Sequence, residues 1–531
     1  MCKISNLLIY RLLFKQCCTS EKDWEWIYTT AGGADWLESV IKQNIDSKFV
    51  NSTLQLFKNF IKKTYNLLLL LYSISVKQIL YERDDCMSRL LYSRYPVLNK
   101  LFCFFQHYFK DATIPTMENL FLVVVSILVL DTFHSVRYAW MHVISKLSGK
   151  SLNSFYHTLE QAPFKHREWG AVTAEYARHT VPDSLKDSAV FLSIDDTMVE
   201  KYGKKFEARS KLFDHAAHNG SNYLNGHCFV SVMLHVPVSS PSGIIYLSVP
   251  LGYRLWTKQE SKLELAAQMV RSVMPVLSSC KQVILLCDSW YPKKPVTGLV
   301  AEFENLEMIC SVRIDTVLYD LPGAPTGKRG RPRIHGERIA PGSIPLEKPE
   351  ELDYYTGCRE VMTNLWKGKH VHAYVTASDP DDRNSYRLFL STVPADGIHI
   401  NAREHADRKI RQYNECGMLP MGVFSIRWNI ETGYYETKTF WSFNNYMVRS
   451  AEGIERLTNL ICISYAACKL LPYYSRDFEG YKGLSTQEVR YQLGERIRRS
   501  IIIRSLEQMT ETLKNNIPIK KAFQKLIYRC G

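Results

Sequence analysis

The sequence predicts an α/β fold, in which a mixed β-sheet is flanked by helices and carries a β-rich insertion. Between residues 186 and 315, short apolar runs rich in β-branched residues alternate with stretches of helical periodicity. Between residues 316 and 400, a Gly- and Pro-rich segment followed by strand-like runs interrupts this pattern. The regions before and after have apolar residues at helical spacing. Strands that alternate with helices in this order are typical of a mixed sheet with helices packed on it.

Composition and charge limit the class of protein. The chain has 531 residues, of which 46% are hydrophobic and 23% charged, as in folded proteins of several domains. The 67 Lys and Arg residues exceed the 53 Asp and Glu residues and give a net charge of +14. Such an excess attracts polyanions, nucleic acid among them, although ribosome-like or membrane-surface binding would fit the charge as well.

The apolar segments indicate a protein without a membrane partner. The runs Leu67–Val76 and Leu120–Leu130 are shorter than the roughly 20 residues that a membrane-spanning helix needs. Met1–Phe14 lacks the long apolar core of a signal peptide. The 14 cysteines form no C-x-x-C pair, which favours reduced thiols. We therefore expect a cytoplasmic location.

The first 185 residues are predicted to be helical. Residues 1–110 have no recognisable role, and residues 111–185 form a second helical region. In this second region, basic and aromatic side chains alternate between Lys150 and Arg167. This pattern suits a helical unit that binds DNA ends, but a solvated helix face has the same pattern.

Two acidic positions follow predicted strands of the sheet. The apolar run Ala189–Ile194 ends in Asp195 and Asp196, and the run Val283–Cys287 ends in Asp288. Strand ends of an open sheet are where catalytic groups collect, and a carboxylate there can bind a hard cation. Asp is also common in turns and at helix N-termini, so a purely structural role is the alternative.

A third acid lies in residues 401–475, where the helical pattern returns and completes the core. The segment 424–438 is predicted to be a helix that projects Phe424, Arg427, Glu431 and Lys438 from one face. A ladder of ion pairs at helical spacing is one interpretation. The other is a metal-binding carboxylate flanked by two cations that hold phosphate oxygens.

This third segment resembles a known signature. Arg427, Glu431 and Lys438 have the spacing found around the third carboxylate of bacterial insertion-sequence transposases of the DD-E type, in the hairpin-forming branch written Y-R-E-K. The segment Arg-Trp-x-Ile-Glu, which runs from Arg427 to Glu431, is also similar to the family sequence. Phe424 stands where the family has Tyr, which removes a hydroxyl that could bond to DNA.

The two aspartate strands resemble the same family. Ile194–Thr197 is similar to its first-Asp strand, and Leu286–Ser289 to its second. A β insertion between the second Asp and the Glu is also characteristic of that branch. The resemblance covers residues 112 to 470 approximately. It implies an RNase H-like core and a DNA transposase that cleaves DNA and transfers strands in cut-and-paste transposition.

The resemblance also implies the catalytic metal ligands, which are Asp196, Asp288 and Glu431. Asp196 is preferred to Asp195 because the catalytic Asp of related strands directly precedes a small residue, here Thr197. Strand alternation would then turn Asp195 to the opposite face of the sheet. Asp195 is the alternative ligand.

The expected cofactors and partners follow from this family. Two Mg²⁺ ions about 4 Å apart activate the attacking water and stabilise the leaving oxygen, and Mn²⁺ is expected to substitute. Arg427 and Lys438 are expected to hold phosphates near the cut. The partners would be double-stranded DNA, as element ends and target, and a second copy of the chain, in the nucleoid. A transposase-derived DNA-binding protein without cleavage activity and a structure-specific nuclease are the alternatives.

Residues 316–400 contain two further candidate DNA contacts. The basic run from Lys328 to Arg333 resembles an AT-hook, with Lys328, Arg329, Arg331 and Arg333 as the cations that would enter a minor groove. A nuclear-localisation-like charge run or a solvated loop is the alternative. By the family resemblance, Trp366 is a candidate to stack on a base flipped out at the hairpin, although a core position is the more ordinary role of Trp.

Residues 476–531 are predicted to be a basic helical tail. Basic residues outnumber acidic ones from Lys482 to Gly531, which suits binding to DNA or to a second subunit. Ser485 and Glu488 have the spacing of a capping box, which predicts that a helix begins there.

Overall fold

The structure, a computed structural model, describes residues 95–214, 222–323 and 333–515, and side chains up to residue 503. These residues belong to a unit that spans Ser88–Gly531. Three cations of the predicted AT-hook lie outside the described residues: Lys328, Arg329 and Arg331. Most of the first helical region and the last 16 residues of the basic tail also lie outside them.

Eleven strands form one mixed sheet, in the order β2-β3-β1-β5-β6-β11-β10-β9-β7-β8, with β4 paired to β3. The strands are β1 Val190–Glu200, β2 Ser210–Phe213, β3 Tyr223–Ser240, β4 Gly243–Leu255, β5 Val283–Cys287, β6 Leu306–Val312, β7 Leu318–Tyr319, β8 Arg338–Ile339, β9 Tyr355–Thr363, β10 His370–Ala377 and β11 Arg387–Ser391.

The strands β4, β3, β1, β5 and β6 form the part of the sheet that carries the acidic residues. β3 pairs antiparallel with both β1 and β4, whereas β5 pairs parallel with both β1 and β6. β5 is buried along its whole length, as its continuous apolar sequence predicts for a parallel strand covered on both faces. This arrangement confirms the predicted α/β class and is consistent with an RNase H-like core.

The strands between residues 316 and 400 extend this same sheet. β11 pairs antiparallel with β6, and β10 and β9 follow it in the sheet. The sequence indicated a β-rich subdomain inserted into the core, and in the structure its strands continue the core sheet from β6. Pairing satisfies the backbone groups of an edge strand, which otherwise invite association with another chain.

The helices pack on both faces of the sheet. The described α-helices are α1 Pro96–Phe105, α2 Ile114–Val129, α3 Val136–Ala139, α4 Ser145–Leu147, α5 Leu152–Glu160, α6 Trp169–His179, α7 Lys262–Leu277, α8 Lys294–Thr297, α9 Leu299–Glu302, α10 Arg408–Glu415, α11 Leu419–Phe424, α12 Trp428–Phe440, α13 Ala451–Tyr474 and α14 Thr486–Asn515. Within the described part of the chain, no helix combines the length and the apolarity that crossing a bilayer requires.

Alternation along β1 divides the apolar core between the two faces. Leu192 and Ile194 belong to the main hydrophobic cluster, whereas Phe191 belongs to a smaller cluster with residues of α10 and α11. Successive side chains of a strand point to opposite faces. The sequence predicted that this strand ends at Asp195 and Asp196, but β1 continues to Glu200 through its pairing with β3. The same alternation therefore separates the side chains of Asp195 and Asp196 within β1.

The predicted helix 424–438 is made of two helices joined by one tighter turn. α11 ends at Phe424, residues 425–427 form a 3₁₀ turn, and α12 begins at Trp428. Phe424 and Arg427 keep right-handed helical backbone angles, so the chain direction is maintained through the turn. The turn places Arg427 at the N-terminus of α12 and Glu431 in its first turn.

The predicted capping box at the start of α14 is confirmed. The Glu488 N–H donates to Ser485 Oγ at 3.2 Å, and the Ser485 N–H donates to Glu488 Oε2 at 2.8 Å. One cation of the basic tail has a structural role, because the buried Arg490 donates to the carbonyl oxygens of Ile127 and Phe440.

Candidate active site

The two adjacent aspartates of β1 contact different cations. Arg427 donates from Nη1 to Asp195 Oδ2 at 3.3 Å. Lys262, the first residue of α7, donates from Nζ to Asp196 Oδ2 at 2.8 Å. The strand therefore presents one carboxylate to α12 and the other to α7, as strand alternation predicts.

Arg427 links Asp195 to Glu431. Besides its contact with Asp195, its Nη2 donates to Glu431 Oε1 at 2.7 Å, four residues along the chain. This pair confirms that Arg427 and Glu431 share one helix face. Because the face is turned towards β1, residues more than 230 positions apart in sequence meet at one guanidinium.

Asp288 lies directly after β5, beside β1. Its Oδ1 accepts the backbone N–H of Trp290 at 3.1 Å. Burial raises the pKa of Asp288, and the negative charge of Asp196 raises it further, against the opposing effects of the Trp290 N–H and of Arg427. The aspartates of the two neighbouring strands are thus within electrostatic reach of each other.

Asp196 has two further donors besides Lys262. Tyr291 donates its hydroxyl to Asp196 Oδ1 at 3.0 Å, and the Cys228 thiol donates to Oδ2 at 3.2 Å. Burial raises the pKa of Tyr291, and the carboxylate of Asp196 adds to this rise, so the phenol remains a donor. Both carboxylate oxygens are consequently occupied.

A cationic and aromatic cluster surrounds Lys262. Its Nζ lies 5.4 Å from the ring centroid of Trp256 and 5.1 Å from that of Trp290. Lys293 Nζ lies 4.7 Å from the Trp290 ring, which is 40% exposed. The sequence analysis did not predict this cluster. The one available signal was Trp290, which lies two residues after Asp288 in the sequence.

The assignment of the first metal ligand remains a prediction, and the structure bears on it. Asp196 was expected to face the third carboxylate, with Asp195 turned away. In the structure, Asp195 and Glu431 both contact Arg427, whereas Asp196 contacts Lys262. Asp195, the alternative ligand from the sequence, therefore lies on the side of the third carboxylate, where Asp196 was expected.

The carboxylates fit divalent cations in their chemistry. Mg²⁺ prefers carboxylate oxygens. The pKa of Asp195 is raised to about 7, chiefly by burial and also by the charges of Asp288 and Asp196, against the lowering effect of Arg427. The four carboxylates outnumber the two cations that contact them, Arg427 and Lys262. Within residues 95–214, 222–323 and 333–515, however, no three His, Cys, Asp or Glu side chains are grouped closely enough to hold a metal. Arg427 and Lys262 occupy the oxygens that a metal would need.

Lys438 is anchored to the strand that carries the aspartates. Its Nζ donates to the Met198 carbonyl oxygen at 2.9 Å, and burial lowers its pKa. Lys438 and Arg427 thus both contact β1, as expected of side chains that project from one face of the segment 424–438. The phosphate contact expected of Lys438 requires that it exchange this carbonyl for DNA.

Phe424 packs in an apolar environment. Its ring lies 5.1 Å from that of Phe389, and the Arg427 guanidinium lies 5.9 Å from its centroid. The aromatic side chain therefore supports Arg427 without a hydroxyl. Trp428, the next residue after Arg427, is 62% exposed, a feature that the sequence did not single out.

Trp366 is a core residue in this structure. It is only 6% exposed, and its indole N–H donates to the Thr297 carbonyl oxygen at 3.2 Å. Stacking on a flipped base would require the ring to leave this core, and the base contact stays a prediction. The ordinary role of a buried Trp explains the position.

The other predicted DNA contacts differ in their surroundings. Arg333 is exposed beside the part of the basic run that lies outside the described residues. In the helical region before β1, Arg167 pairs with Glu455 at 2.7 Å and Lys150 with Glu118 at 2.6 Å. These two cations of the alternating pattern thus have internal partners.

Comparison with known proteins places the first two acidic positions in a family region. Residues 141–366 match the family model described as DDE superfamily endonuclease. The matched region includes Asp195, Asp196 and Asp288 and ends before Glu431. No curated protein matches the chain. The match supports a DDE-type family and an endonuclease that acts on DNA, for which divalent metal ions are the general cofactor.

Proposed function

We propose that the chain is a DD-E transposase that cleaves and joins DNA strands with two divalent metal ions. One observation carries the proposal: Asp195 of β1 and Glu431 of α12 converge on Arg427, while Asp196, the next residue of β1, and Asp288, directly after β5, are close enough to influence the charge of Asp195. The endonuclease family match across β1 and β5 supports it.

The proposed ligands are Asp196, Asp288 and Glu431, with Asp195 as the competing candidate for the first position. When bound, two Mg²⁺ ions activate the attacking water and stabilise the leaving 3′ oxygen. The protein contributes a fixed frame, since Asp196 lies within β1, Asp288 directly follows the neighbouring strand β5, and Glu431 lies in the first turn of a helix.

Arg427 is proposed to change its partners when DNA binds. In the free protein its guanidinium is divided between Asp195 and Glu431. A planar guanidinium can give two parallel hydrogen bonds to a phosphate, so it can transfer from carboxylates to DNA without loss of donor geometry. Lys438 is proposed to hold a neighbouring phosphate after release from the Met198 carbonyl.

The finer mechanism is proposed from the family signature. The freed 3′-OH would attack the opposite strand to form a hairpin, which is reopened and joined to target DNA in cut-and-paste transposition of an insertion sequence. The partners would be the element ends, the target DNA and a second copy of the chain, in the nucleoid. Phe424 stands where the signature has Tyr, so the proposed mechanism uses no hydroxyl at this position.

The experiment is incubation of the full chain with Mg²⁺ or Mn²⁺ and DNA that carries the ends of its own element. We expect nicking and strand transfer. Glu431→Gln removes a ligand charge and should reduce nicking by about a thousandfold or more. Glu415→Gln, an exposed change on α10, is the matched control and should retain activity.

Three results would contradict the proposal. Undiminished nicking by Glu431→Gln would remove the third carboxylate from the mechanism. Binding without nicking by the unchanged chain would favour a transposase-derived DNA-binding protein, and nicking without joining would favour a structure-specific nuclease.

A further inference from the structure

A row of hydrogen-bonded side chains connects β1 to α12. Ser193 Oγ of β1 lies 2.5 Å from Nε2 of His235 in β3, and Nδ1 of the same imidazole lies 2.7 Å from Ser248 Oγ in β4. Asn429 of α12 donates from Nδ2 to Ser248 Oγ at 2.9 Å. Ser193 and His235 are completely buried, and Ser248 is 7% exposed. These four side chains, here called the polar bridge, thus join three strands of the sheet to one helix.

Both ends of the polar bridge lie beside residues of the candidate active site. Ser193 is two residues before Asp195, so strand alternation puts the two side chains on the same face of β1. Asn429 is the second residue of α12 and lies between Arg427 and Glu431 in the sequence. The polar bridge therefore connects the strand of one acid to the helical turn of another.

The polar bridge has no net charge. Burial lowers the pKa of His235 to about 3, and the positive charge of Lys469 contributes, so the imidazole is neutral at physiological pH. A neutral imidazole has one N–H donor and one acceptor nitrogen, which is sufficient to bond a serine hydroxyl on each side. DNA phosphates attract cations, and they do not draw these neutral side chains away from their partners.

Two contacts of the segment 427–438 with β1 are made by cations instead. Arg427 donates to Asp195, and Lys438 donates to the Met198 carbonyl oxygen. In the proposed function, both cations leave these partners for DNA phosphates. DNA binding would then remove both of these links between the helix and the strand.

We propose that the polar bridge holds the first turn of α12 on the sheet while Arg427 and Lys438 are engaged on DNA, so that Glu431 keeps its distance from the aspartates of β1 and β5. His235 and Asn429 are accordingly positioning residues. The proposal rests on the proposed function, because it requires Arg427 to exchange carboxylates for phosphate. Precise placement matters here, since a displacement of about 1 Å at a catalytic group can slow a reaction by about a hundredfold.

The first test needs neither DNA nor metal. Arg427→Gln removes the ionic link and so imitates its transfer to DNA, and hydrogen–deuterium exchange of the full chain is followed by mass spectrometry over residues 428–440. Adding Asn429→Ala should speed exchange in this segment by roughly tenfold or more. Adding Thr432→Ala instead should not, because the Thr432 hydroxyl bonds to the Trp428 carbonyl oxygen of its own helix. Asn429→Ala alone should have a smaller effect, since Arg427 then still holds the helix.

The second test measures nicking in a single turnover with Mg²⁺, on DNA that carries the ends of the chain's own element. Asn429→Ala should slow nicking by about tenfold to a hundredfold. The Kd for DNA, measured by fluorescence anisotropy without metal, should change by about twofold or less, because the Asn429 amide bonds to Ser248 and not to DNA. Thr432→Ala is the matched control and should nick at the rate of the unchanged chain.

A second variant breaks the polar bridge at a different link. Ser248→Ala removes the hydroxyl that receives the Asn429 amide, so it should reproduce the slower nicking and, with Arg427→Gln, the faster exchange. The combined variant Asn429→Ala and Ser248→Ala should be no slower than the slower of the two, because both break the same connection. Circular dichroism confirms that each variant is folded before it is compared.

The outcomes separate this inference from the proposed function. Equal exchange in Arg427→Gln with and without Asn429→Ala would overturn the anchoring of α12, and faster exchange with an undiminished nicking rate would overturn the positioning role. An equal loss of nicking in Thr432→Ala would also overturn that role, since it would show a general sensitivity of the helix. If the unchanged chain nicks no DNA while the exchange difference is present, the proposed function is wrong and the polar bridge remains an anchor of α12.

Discussion

Two clusters of buried or half-buried carboxylates in this molecule have opposite charge balance. At the first, Glu455 of α13 accepts hydrogen bonds from Arg167 at 2.7 Å, His166 at 3.0 Å and the Leu255 N–H at 3.0 Å. Burial alone would raise the pKa of Glu455, but His166, Arg254 and Arg167 outweigh it and lower the pKa to about 2. One carboxylate is held there by several cationic or donating groups.

At the second cluster, the carboxylates outnumber the cations. Burial raises the pKa of Asp195 to about 7, and the charges of Asp288 and Asp196 contribute to the rise. Arg427 opposes it but is shared with Glu431. The first cluster is therefore complete as a structural element, whereas the second has an excess of negative charge that divalent cations would neutralise.

The largest expected effect tests which of the two β1 aspartates of the second cluster is a metal ligand. We predict that Asp196→Ala abolishes DNA cleavage, because it removes one of the proposed metal ligands, whereas Asp195→Ala leaves measurable activity. Nicking rates of the two variants on the same DNA decide the matter. The reverse order would assign the ligand to Asp195, which is the residue that shares Arg427 with Glu431.

The next largest effect concerns the first cluster and the contribution of Glu455 to stability. Glu455→Gln leaves buried cations without their counter-charge and should lower the free energy of unfolding by about 3–5 kcal/mol, measured by chemical denaturation. Glu452→Gln is the matched control in the same helix. Because Glu452 is 44% exposed, its ion pair with Arg456 should contribute about 1 kcal/mol or less. Equal losses in the two variants would contradict the special status of Glu455.

A smaller, pH-dependent effect follows from the same carboxylate. The pKa of Glu455 in the folded protein, about 2, is below its ordinary value of 4.5, so the folded state binds fewer protons than the unfolded state. The stability from this group is complete above pH 4.5 and is lost as the pH falls towards 2, by about 3 kcal/mol. The stability difference between the unchanged chain and Glu455→Gln should narrow over this range. A difference that stays constant would contradict the lowered pKa.

The sequence was sufficient for those features that local pattern determines. The α/β class, the strand that ends just before Asp288, and the face shared by Arg427 and Glu431 all follow from periodicity and spacing. The first strand was predicted to end at Asp195 and Asp196, but β1 continues to Glu200 because it pairs with β3 along this length. The capping box at Ser485 is another local signal that the structure confirms. These features depend on neighbours within a few residues.

Features that depend on tertiary contacts could not be predicted from the sequence. Lys262 reaches Asp196 across 66 residues, and Trp366 is buried through a contact with Thr297, 69 residues away. Nothing in the periodicity around either residue specifies these partners. The pairing of β11 with β6, which makes the insertion part of the core sheet, is likewise a long-range choice.

The most direct test of the excess negative charge is a crystal of the full chain soaked in Mn²⁺, examined by anomalous scattering. We expect manganese peaks bounded by carboxylate oxygens of Asp288, Glu431 and one of the two β1 aspartates, with Lys262 or Arg427 moved from its present partner. Manganese absent from these carboxylates at a concentration that supports cleavage would contradict the account.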